Sequence, residues 1–303
     1  MKNEFYSNGK LLLTGEYAIL DGAKALALPT KFGQFLTIKN TASKTLDWVS
    51  LDEKGETWFC AKFSKVDLKI ITTSDADVSS RLAQILREAK RLNPSFLSLT
   101  DTFNSIEAKL TFPRNWGLGS SSTLIANVAV WADVNPYQLL TATFGGSGYD
   151  IACARHNSPI LYRSNRYKPM VRQVDFHPRF SDRLFFVYLN QKKNSRDAIE
   201  AYRNLDIDKK NLIARIDAVT ERILNCTELS EFEILLSLHE HIISETLNIP
   251  TSKETLFNDY RGTIKSLGAW GGDFILTVGT TDAMGYFKEK GYSTILTYAE
   301  MIK

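Results

Sequence analysis

A glycine- and serine-rich junction in the middle of the chain constrains its fold and chemistry most strongly. Residues 113–123 read PRNWGLGSSST and lead directly into the apolar run LIANVAVW at 124–131, which predicts a buried helix. Such a helix start leaves backbone N–H groups unpaired at the positive end of the helix dipole, and Gly117 and Gly119 let an anion approach that backbone. The junction therefore predicts a phosphate-binding loop, with a turn before a serine-capped helix as the structural alternative.

The motif differs from two common phosphate-binding loops. No lysine follows its last glycine, as one does in the nucleoside-triphosphatase loop. It also lacks the third spaced glycine of the dinucleotide-binding fingerprint. The junction alone therefore does not identify the phosphate compound, and the rest of the chain has to be considered.

The bulk properties of the 303-residue chain favour a small-molecule partner. The formal net charge of +3 gives no electrostatic case for nucleic acid or a membrane, and no segment approaches the ~20 apolar residues of a membrane span. The 3 cysteines form no CxxC pair and the N-terminus has no signal-peptide pattern, so we expect a reducing, cytoplasmic location. The oligomeric state is not indicated, which leaves a homodimer open.

Hydrophobic periodicity predicts an α+β chain whose first half is rich in antiparallel strands. Apolar runs at 11–13, 17–20 and 25–28 end at Pro29, and alternating strands follow at 34–39, 45–51 and 57–63. Further elements are a helix at 79–92, a strand at 105–112, a helix from Asn135-Pro136, a buried strand at 184–189 and helices at 211–224 and 230–247. A strand at 274–278, a helix at 283–290 and a strand at 293–297 follow. A polar stretch places a domain boundary near Lys168, giving domains 1–168 and 169–303.

Three further glycine-bearing strings carry the residue types that phosphoryl transfer requires. SNGKLLLTGEY at 7–17 contains Lys10, GGSGYDIA at 145–152 contains Asp150, and GAWGGD lies at 268–273. Phosphoryl transfer needs backbone donors and a cation for the phosphates, an acceptor that orients the attacking hydroxyl, and oxygen ligands for Mg²⁺. The structural alternatives are a helix-capping role for Asp150 and a surface position for Lys10.

In order and spacing, these four strings resemble the GHMP kinases, the superfamily of galactokinase, homoserine kinase, mevalonate kinase and phosphomevalonate kinase. The matching strings extend over nearly the whole chain. The resemblance implies a two-domain α+β fold, in which a domain like the second domain of ribosomal protein S5 precedes a ferredoxin-like domain. It also implies ATP and Mg²⁺ as cofactors and an active site between the domains.

The resemblance assigns a role to each candidate site residue. Asp150 resembles the residue that accepts the substrate hydroxyl proton, Lys10 its cationic neighbour, and Ser121 the serine that contacts Mg²⁺. The residues implied to bind ATP are Pro113, Gly117, Leu118, Gly119, Ser120, Ser121 and Ser122. Those implied on the substrate side are Glu16, Ser147, Gly148, Lys192, Lys193, Ser195, Gly268, Gly271 and Gly272.

Several of these assignments have alternatives. Glu16 either holds Lys10, faces the substrate or pairs within a strand. The loop at 190–196 (NQKKNSR) is either a substrate loop or an ordinary solvated turn. A lysine beside Asp150 is expected to lower the pKa of its carboxyl group and keep it ionised.

The acceptor is the least constrained part of the resemblance. Mevalonate kinases carry a metal-binding glutamate on the helix before the aspartate motif, where this chain has Leu139. GSGYD is closer to phosphomevalonate kinases, whereas GYDIA is typical of a distinct GHMP subgroup, and Trp270 replaces a small residue in a way that narrows the pocket. We expect phosphorylation of mevalonate or phosphomevalonate in isoprenoid precursor synthesis. The alternatives are another small hydroxylated acceptor, a nucleotide- or phospho-ligand-binding homologue without turnover, and a mevalonate-diphosphate decarboxylase.

Overall fold

The computed structural model describes residues 4–41, 43–98, 103–165, 167–191, 195–268 and 272–303, and its architecture is α+β as predicted. The strands are β1 (Glu4–Leu12), β2 (Ala25–Asn40), β3 (Thr45–Leu51), β4 (Thr57–Ser64), β5 (Ile70–Thr73), β6 (Phe103–Leu110), β7 (Ile160–Arg163), β8 (Met170–Gln173), β9 (Leu184–Tyr188), β10 (Ile264–Leu267), β11 (Phe274–Val278) and β12 (Ile295–Thr297). The α-helices are α1 (Ala76–Leu92), α2 (Ser120–Trp131), α3 (Pro136–Thr143), α4 (Tyr149–Arg155), α5 (Ser195–Arg203), α6 (Lys209–Asn225), α7 (Leu229–Leu247), α8 (Ser252–Leu256), α9 (Gly285–Glu289) and α10 (Tyr298–Met301).

The strands form two sheets. The larger sheet has the order β5-β4-β3-β6-β2-β7-β8, with β1 also paired to β2, and it contains a parallel pair between β3 and β6. The smaller sheet has the order β10-β11-β9-β12 with antiparallel pairs. Strand β8 lies beyond the predicted boundary at Lys168, yet it pairs with β7 in the larger sheet. The exact domain limits therefore stay a prediction.

The first strands differ in one respect from the sequence prediction. The predicted end at Pro29 is wrong, because the 16-residue strand β2 runs through Pro29 and ends at Asn40. The pairing between β1 and β2 shifts its register here, from Asn8 opposite Gly33 to Lys10 opposite Pro29. A bulge tolerates a proline, which has no N–H to donate to the sheet. The apolar run at 17–20 likewise forms no strand, since Ala18–Asp21 is a 3₁₀ helix.

Side-chain caps define the start of two predicted helices. The Asp75 carboxylate accepts hydrogen bonds from the N–H groups of Asp77 and Val78, so α1 begins three residues before the predicted Ser79. Asn135 caps α3 in the same way, with Pro136 in the first turn, as the sequence predicts. Helix starts that are fixed by a capping side chain therefore lie close to their predicted positions.

Two apolar clusters place the site-forming elements. One packs the larger sheet against α1, α2 and α3, and contains the fully buried Trp48 and Phe63. The other joins residues of β1 and β2 to α6, α7 and the smaller sheet, and contains Phe186 and Phe232. Burial of this apolar surface holds the first motif of the chain against its second half. Within the described ranges, no helix is long and apolar enough to cross a membrane.

Candidate active site

The central glycine-serine junction forms the start of α2. The N-cap residue is Gly119, in the left-handed conformation with φ 91°, and no side chain caps the helix there. The serine-capped alternative is therefore wrong: the serines 120–122 are the first helical residues. A glycine N-cap leaves the first N–H groups of the helix available to an anion at the positive end of its dipole.

Hydrogen bonds from α2 to the first two strands fix the orientation of this helix start. Asn127 donates from its side-chain amide to the carbonyl oxygen of Gln34 and accepts from the Ser7 hydroxyl. Thr123 donates to the side-chain oxygen of Gln34 over 2.8 Å. Asn127 and Thr123 are each 1% exposed, so these bonds are protected from water and position the helix firmly.

Lys10 connects strand β1 to the same loop. Its backbone N–H donates to the carbonyl oxygen of Leu118 over 3.0 Å, and its Nζ donates to the carbonyl oxygen of Gly117 over 2.9 Å. A Cβ atom built on Gly119 would lie 3.3 Å from the Lys10 side chain and 2.6 Å from the Ser122 hydroxyl. The glycine thus permits the lysine to pass close to the helix start.

Asp150 lies in the first turn of α4, which begins after the left-handed Gly148. Its carboxylate accepts a hydrogen bond from the Ile151 N–H over 3.0 Å. Burial raises the pKa of Asp150, and the opposing effect of Lys10 is smaller, so the pKa lies above its ordinary value. The expected direction of the Lys10 effect is correct, but the expected net lowering is wrong because desolvation outweighs it.

The pKa of Lys10 is also raised above its ordinary value. Burial alone would lower the pKa of its ammonium group, but the nearby Tyr149, Asp273 and Asp150 raise it above the ordinary value. Lys10 is therefore charged at neutral pH, and its Nζ lies 5.8 Å from the centre of the Tyr149 ring. The alternative of a surface lysine in a turn is wrong.

These groups line one cavity of about 920 Å³. Its volume is at the upper end of the range typical of small-molecule sites, about 300–1,000 Å³. The predicted residues that line it are Lys10, Glu16, Gly117, Leu118, Gly119, Ser120, Ser121, Ser122, Ser147, Asp150 and Gly268. Residues separated by up to 258 positions in the sequence are thus brought together.

The other predicted site residues lie either next in sequence to cavity residues or outside the described part of the structure. Pro113, Gly148 and Gly272 are next in sequence to residues that line the cavity. Ser195 is the first residue of α5, but its side chain lies outside the described part of the structure. Lys192, Lys193, Trp270 and Gly271 also lie outside the described residues, so their assigned roles stay predictions.

Asp273, Tyr149 and Arg203 are among the cavity residues that were assigned no role from the sequence. Asp273 ends the GAWGGD string and packs so closely against Gly117 that a Cβ atom there would lie 1.8 Å from its carboxylate. Tyr149 precedes Asp150, and burial raises its phenol pKa to about 12, so the phenol keeps its proton. Arg203 ends α5. The first two belong to strings already recognised, whereas Arg203 has no local sequence signal.

Glu16 makes different contacts from those that were considered. It is 1% exposed and forms a buried ion pair with Lys265 of β10, rather than with Lys10. Burial raises its pKa to about 7, although Lys265 acts to lower it. Glu16 also lines the cavity, so its substrate-side assignment stays a prediction, while the alternatives of holding Lys10 and of pairing in a strand are wrong.

The cavity contains oxygen-bearing side chains of the kind that would hold a magnesium ion. Ser121 is exposed at the cavity, and Asp150 and Asp273 also line it. Mg²⁺ usually takes one or two carboxylates together with phosphate oxygens and water. In the described ranges no group of three or more histidine, cysteine, aspartate or glutamate side chains forms a metal cage. Leu139 is fully buried in the core.

No family model matches the sequence, and no curated protein matches it either. Solved structures do match in fold, and one is Methanococcus jannaschii mevalonate kinase, with a TM-score of 0.69 and 15% identity over 97% of this chain and 96% of that chain. A Streptococcus pneumoniae phosphomevalonate kinase in complex with phosphomevalonate and AMPPNP has a TM-score of 0.68 and 16% identity over 97% of this chain and 99% of that chain. Lactococcus lactis galactokinase, complexed with galactose, has a TM-score of 0.70 and 14% identity over 97% of this chain and 92% of that chain.

These structures belong to the GHMP superfamily, and the likeness extends over nearly the whole length of each chain. The chain therefore has the two-domain α+β fold of the GHMP kinases, as the four sequence strings predict. Since the neighbours include enzymes named for mevalonate, phosphomevalonate and galactose, the fold alone does not identify an acceptor.

Proposed function

We propose that the protein is an ATP-dependent small-molecule kinase that phosphorylates mevalonate or phosphomevalonate. The observation that carries this proposal is the meeting of three features in one cavity: the uncapped start of α2, Lys10 and Asp150. Together they supply the anion site, the cation and the proton acceptor that phosphoryl transfer requires. The fold adds support, because its neighbours include kinases of this class.

In this proposal the backbone at the start of α2 binds the ATP phosphates. Gly117 and Gly119, with φ values of 66° and 91°, keep the loop free of side chains on the approach path. Lys10 adds a positive charge from the side of β1 and helps to neutralise the charge of the transferred group. Mg²⁺, when bound through Ser121 and the phosphate oxygens, would neutralise further phosphate charge.

Asp150 is the proposed proton acceptor. The acceptor hydroxyl gives its proton to the Asp150 carboxylate, and its oxygen forms a bond to the γ-phosphorus. The bond between that phosphorus and the bridging oxygen breaks, so that ADP leaves with the electron pair. Burial raises the pKa of Asp150, which strengthens its carboxylate as a base, and the charge of Lys10 limits this rise.

The composition of the cavity wall supports a partly apolar acceptor. Leu12 lines the cavity from β1, Ile19 and Leu20 line it from the 3₁₀ helix Ala18–Asp21, and Ile199 lines it from α5. Branched aliphatic side chains match a methyl-bearing hydroxy acid better than a sugar, whose hydroxyl groups would lose hydrogen bonds with water there. The apolar part of the wall therefore favours mevalonate or its phosphate over galactose.

A second candidate function is a nucleotide- or phospho-ligand-binding protein without turnover. It is favoured by Leu139, which occupies the place of a metal-binding glutamate in mevalonate kinases and is buried in the core. A kinase with few protein ligands for Mg²⁺ remains chemically reasonable, because phosphates and water complete the coordination shell.

The direct test is a panel of acceptors. Purified protein is incubated with ATP, Mg²⁺ and, separately, mevalonate, phosphomevalonate, mevalonate diphosphate, homoserine and galactose, and products are identified by mass spectrometry. We expect a phosphorylated product from mevalonate or phosphomevalonate. Release of CO₂ from mevalonate diphosphate would indicate a decarboxylase, a product from another acceptor would replace the substrate claim, and ATP binding with no product would favour the second candidate.

A further inference from the structure

A buried group of four ionisable residues lies behind the acceptor side of the cavity. It consists of Glu16, His239, Glu240 and Lys265, which are each 0–3% exposed. We call it the Lys265 cluster. Lys265 forms ion pairs with Glu16 and, over 3.2 Å, with Glu240, and its Nζ also donates to the carbonyl oxygen of Ser266. The cluster thus links β10 and α7 to the first motif of the chain.

His239 makes the most informative contact of this cluster. Its Nε2 atom accepts a hydrogen bond from the backbone N–H of Gly15 over 2.9 Å and lies 3.3 Å from Glu16 Oε2. Burial, helped by the positive charge of Lys265, lowers the pKa of His239 well below its ordinary value, so the ring is neutral and can accept at Nε2. Its Nδ1 atom has no hydrogen-bond partner among the described residues, so Nε2 carries the specific interaction.

The backbone that His239 holds is strained. Gly15 has φ 93°, and Tyr17, which has a side chain, has φ 59° in an uncommon region. Strain of this kind persists when surrounding contacts fix the conformation. Two contacts fix it here: His239 of α7 binds the Gly15 N–H, and Lys265 of β10 binds the carboxylate of Glu16.

The strained turn also forms a wall of the cavity. Glu16, Tyr17 and Ile19 line it, and the Ile19 N–H donates to the carbonyl oxygen of Gly15 over 3.0 Å. A shift of the Gly15 backbone would therefore move the residues that face the acceptor. The start of α2 is held separately by Gln34 and Ser7, so the nucleotide side would be unaffected.

We propose that His239 and Lys265 are positioning residues that hold the 15–17 turn in the conformation that forms the acceptor wall. The role rests on the proposed function insofar as the acceptor binds against this wall. Neither residue lines the cavity among the described residues, so both act through the turn.

The test compares three substitutions on one helix. His239→Gln keeps an acceptor atom near the position of Nε2, whereas His239→Leu removes it at similar size. His241→Leu is the matched control, because His241 is two residues away with a side chain 67% exposed. Amide hydrogen exchange of the segment 13–20 is measured without ligand, together with KM for the acceptor, KM for ATP and kcat.

We expect His239→Leu to speed exchange in this segment and to raise KM for the acceptor about 5- to 10-fold, the value of one hydrogen bond, with KM for ATP unchanged. His239→Gln and His241→Leu should resemble the wild type in exchange and in both KM values. Equal exchange in the Leu and Gln variants, or an equal rise in both KM values, would overturn the proposal.

Two further outcomes keep the inference separable from the proposed function. If the wild-type protein phosphorylates no acceptor, the proposed function fails, but exchange that is faster in His239→Leu and restored in His239→Gln still supports the positioning role. If His239→Leu does not fold, His239→Gln decides: exchange and acceptor KM near the wild-type values support the role, and faster exchange or a raised acceptor KM overturns it.

Discussion

The Nζ atom of Lys10 donates a hydrogen bond to the carbonyl oxygen of Gly117 over 2.9 Å, across 107 positions of the sequence. This contact places the cation of the first motif directly at the glycine-serine loop. Lys10 also acts on Asp150: burial raises the pKa of the Asp150 carboxyl, and the positive charge of Lys10 lowers it. Lys10 thus interacts with two of the other strings, through its hydrogen bond to Gly117 and its charge near Asp150.

Replacing Lys10 should shift the pH dependence of activity. Lys10→Met removes the positive charge that lowers the pKa of Asp150, so this pKa rises further above its ordinary value. Because the proposed base must be deprotonated, the acidic limb of the kcat/KM profile should move to higher pH, with kcat reduced about 100-fold or more. Lys31→Met is the control, since Lys31 also donates to a carbonyl oxygen, of Ala299, but at an exposed position. An unshifted acidic limb in Lys10→Met would contradict the electrostatic role.

Replacing Gly117 should damage the proposed nucleotide site through a steric clash. A Cβ atom at this position would lie 1.8 Å from the Asp273 carboxylate, in addition to the strain of φ 66°. Gly291 separates the two effects, because it has φ 90° but open space around the added atom. We expect Gly117→Ala to lose about 1–3 kcal/mol more stability than Gly291→Ala, and to raise KM for ATP. Denaturant unfolding and ATP kinetics check this, and equal losses in both variants would refute the close packing.

Removing the buried lysine should destabilise the fold severely. Lys265→Met leaves Glu16 and Glu240 without their shared cation, and breaking a buried ion pair in this way costs about 3–5 kcal/mol. The loss should be larger at pH 8 than at pH 5, because protonation of the two carboxylates relieves it. Lys290→Met is the control: Lys290 pairs with Asp259 at a more exposed position, where solvent screening makes a much smaller loss of stability the expected result. A loss at Lys265 that is similar to the control, or independent of pH, would contradict the arrangement.

His239 and Glu16 should give opposing slopes of stability against pH. The folded pKa of His239 lies well below 6.5, so the unfolded chain binds more protons below pH 6.5 and stability rises with pH there. The pKa of Glu16 is about 7 in the folded chain, against an ordinary value of 4.5. Between these two pH values the folded chain therefore binds more protons than the unfolded chain, and stability falls as the pH rises. Each slope is at most about 1.4 kcal/mol per pH unit.

Single substitutions should reveal these two slopes. Relative to the wild type between pH 5 and 6.5, His239→Gln should make stability fall more steeply with rising pH, because the Glu16 effect is no longer offset. Glu16→Gln should make it rise more steeply. The measurement is the free energy of unfolding by denaturant across this range, and identical slopes in the three proteins would show that the two groups do not titrate as described.

Local signals explain how much of the fold the sequence could predict. The start of α3 was predictable because Asn135 caps the helix and Pro136 is favoured in its first turn. Strand β11 was predicted with its observed limits, Phe274–Val278. Pro29 misled the prediction because its tolerance depends on a bulge opposite β1, which is a tertiary feature. The four site strings could be recognised because their glycines and charged residues occur in a recognisable order and spacing.

The part of the site that could not be predicted depends on long-range burial. Lys265 and Glu16 are 249 positions apart, and no local pattern distinguishes a lysine that will be buried from a solvated one. The net rise in the pKa of Asp150 was missed for the same reason, since desolvation depends on the packing of the whole cavity. The sequence therefore indicated which charged groups to expect in the cavity, whereas the shifts of their pKa values depend on packing.

The most direct test of the account is Asp150→Asn, which removes the proposed proton acceptor and keeps the size of the side chain. We expect kcat with mevalonate or phosphomevalonate to fall about 100- to 10,000-fold, because a positioned base contributes that much to proton transfer. The affinity for a non-hydrolysable ATP analogue, measured by calorimetry, should remain unchanged, because the proposed nucleotide site lies at the start of α2. A variant that keeps its kcat would contradict the assignment of Asp150, and so would one that loses turnover and nucleotide binding together.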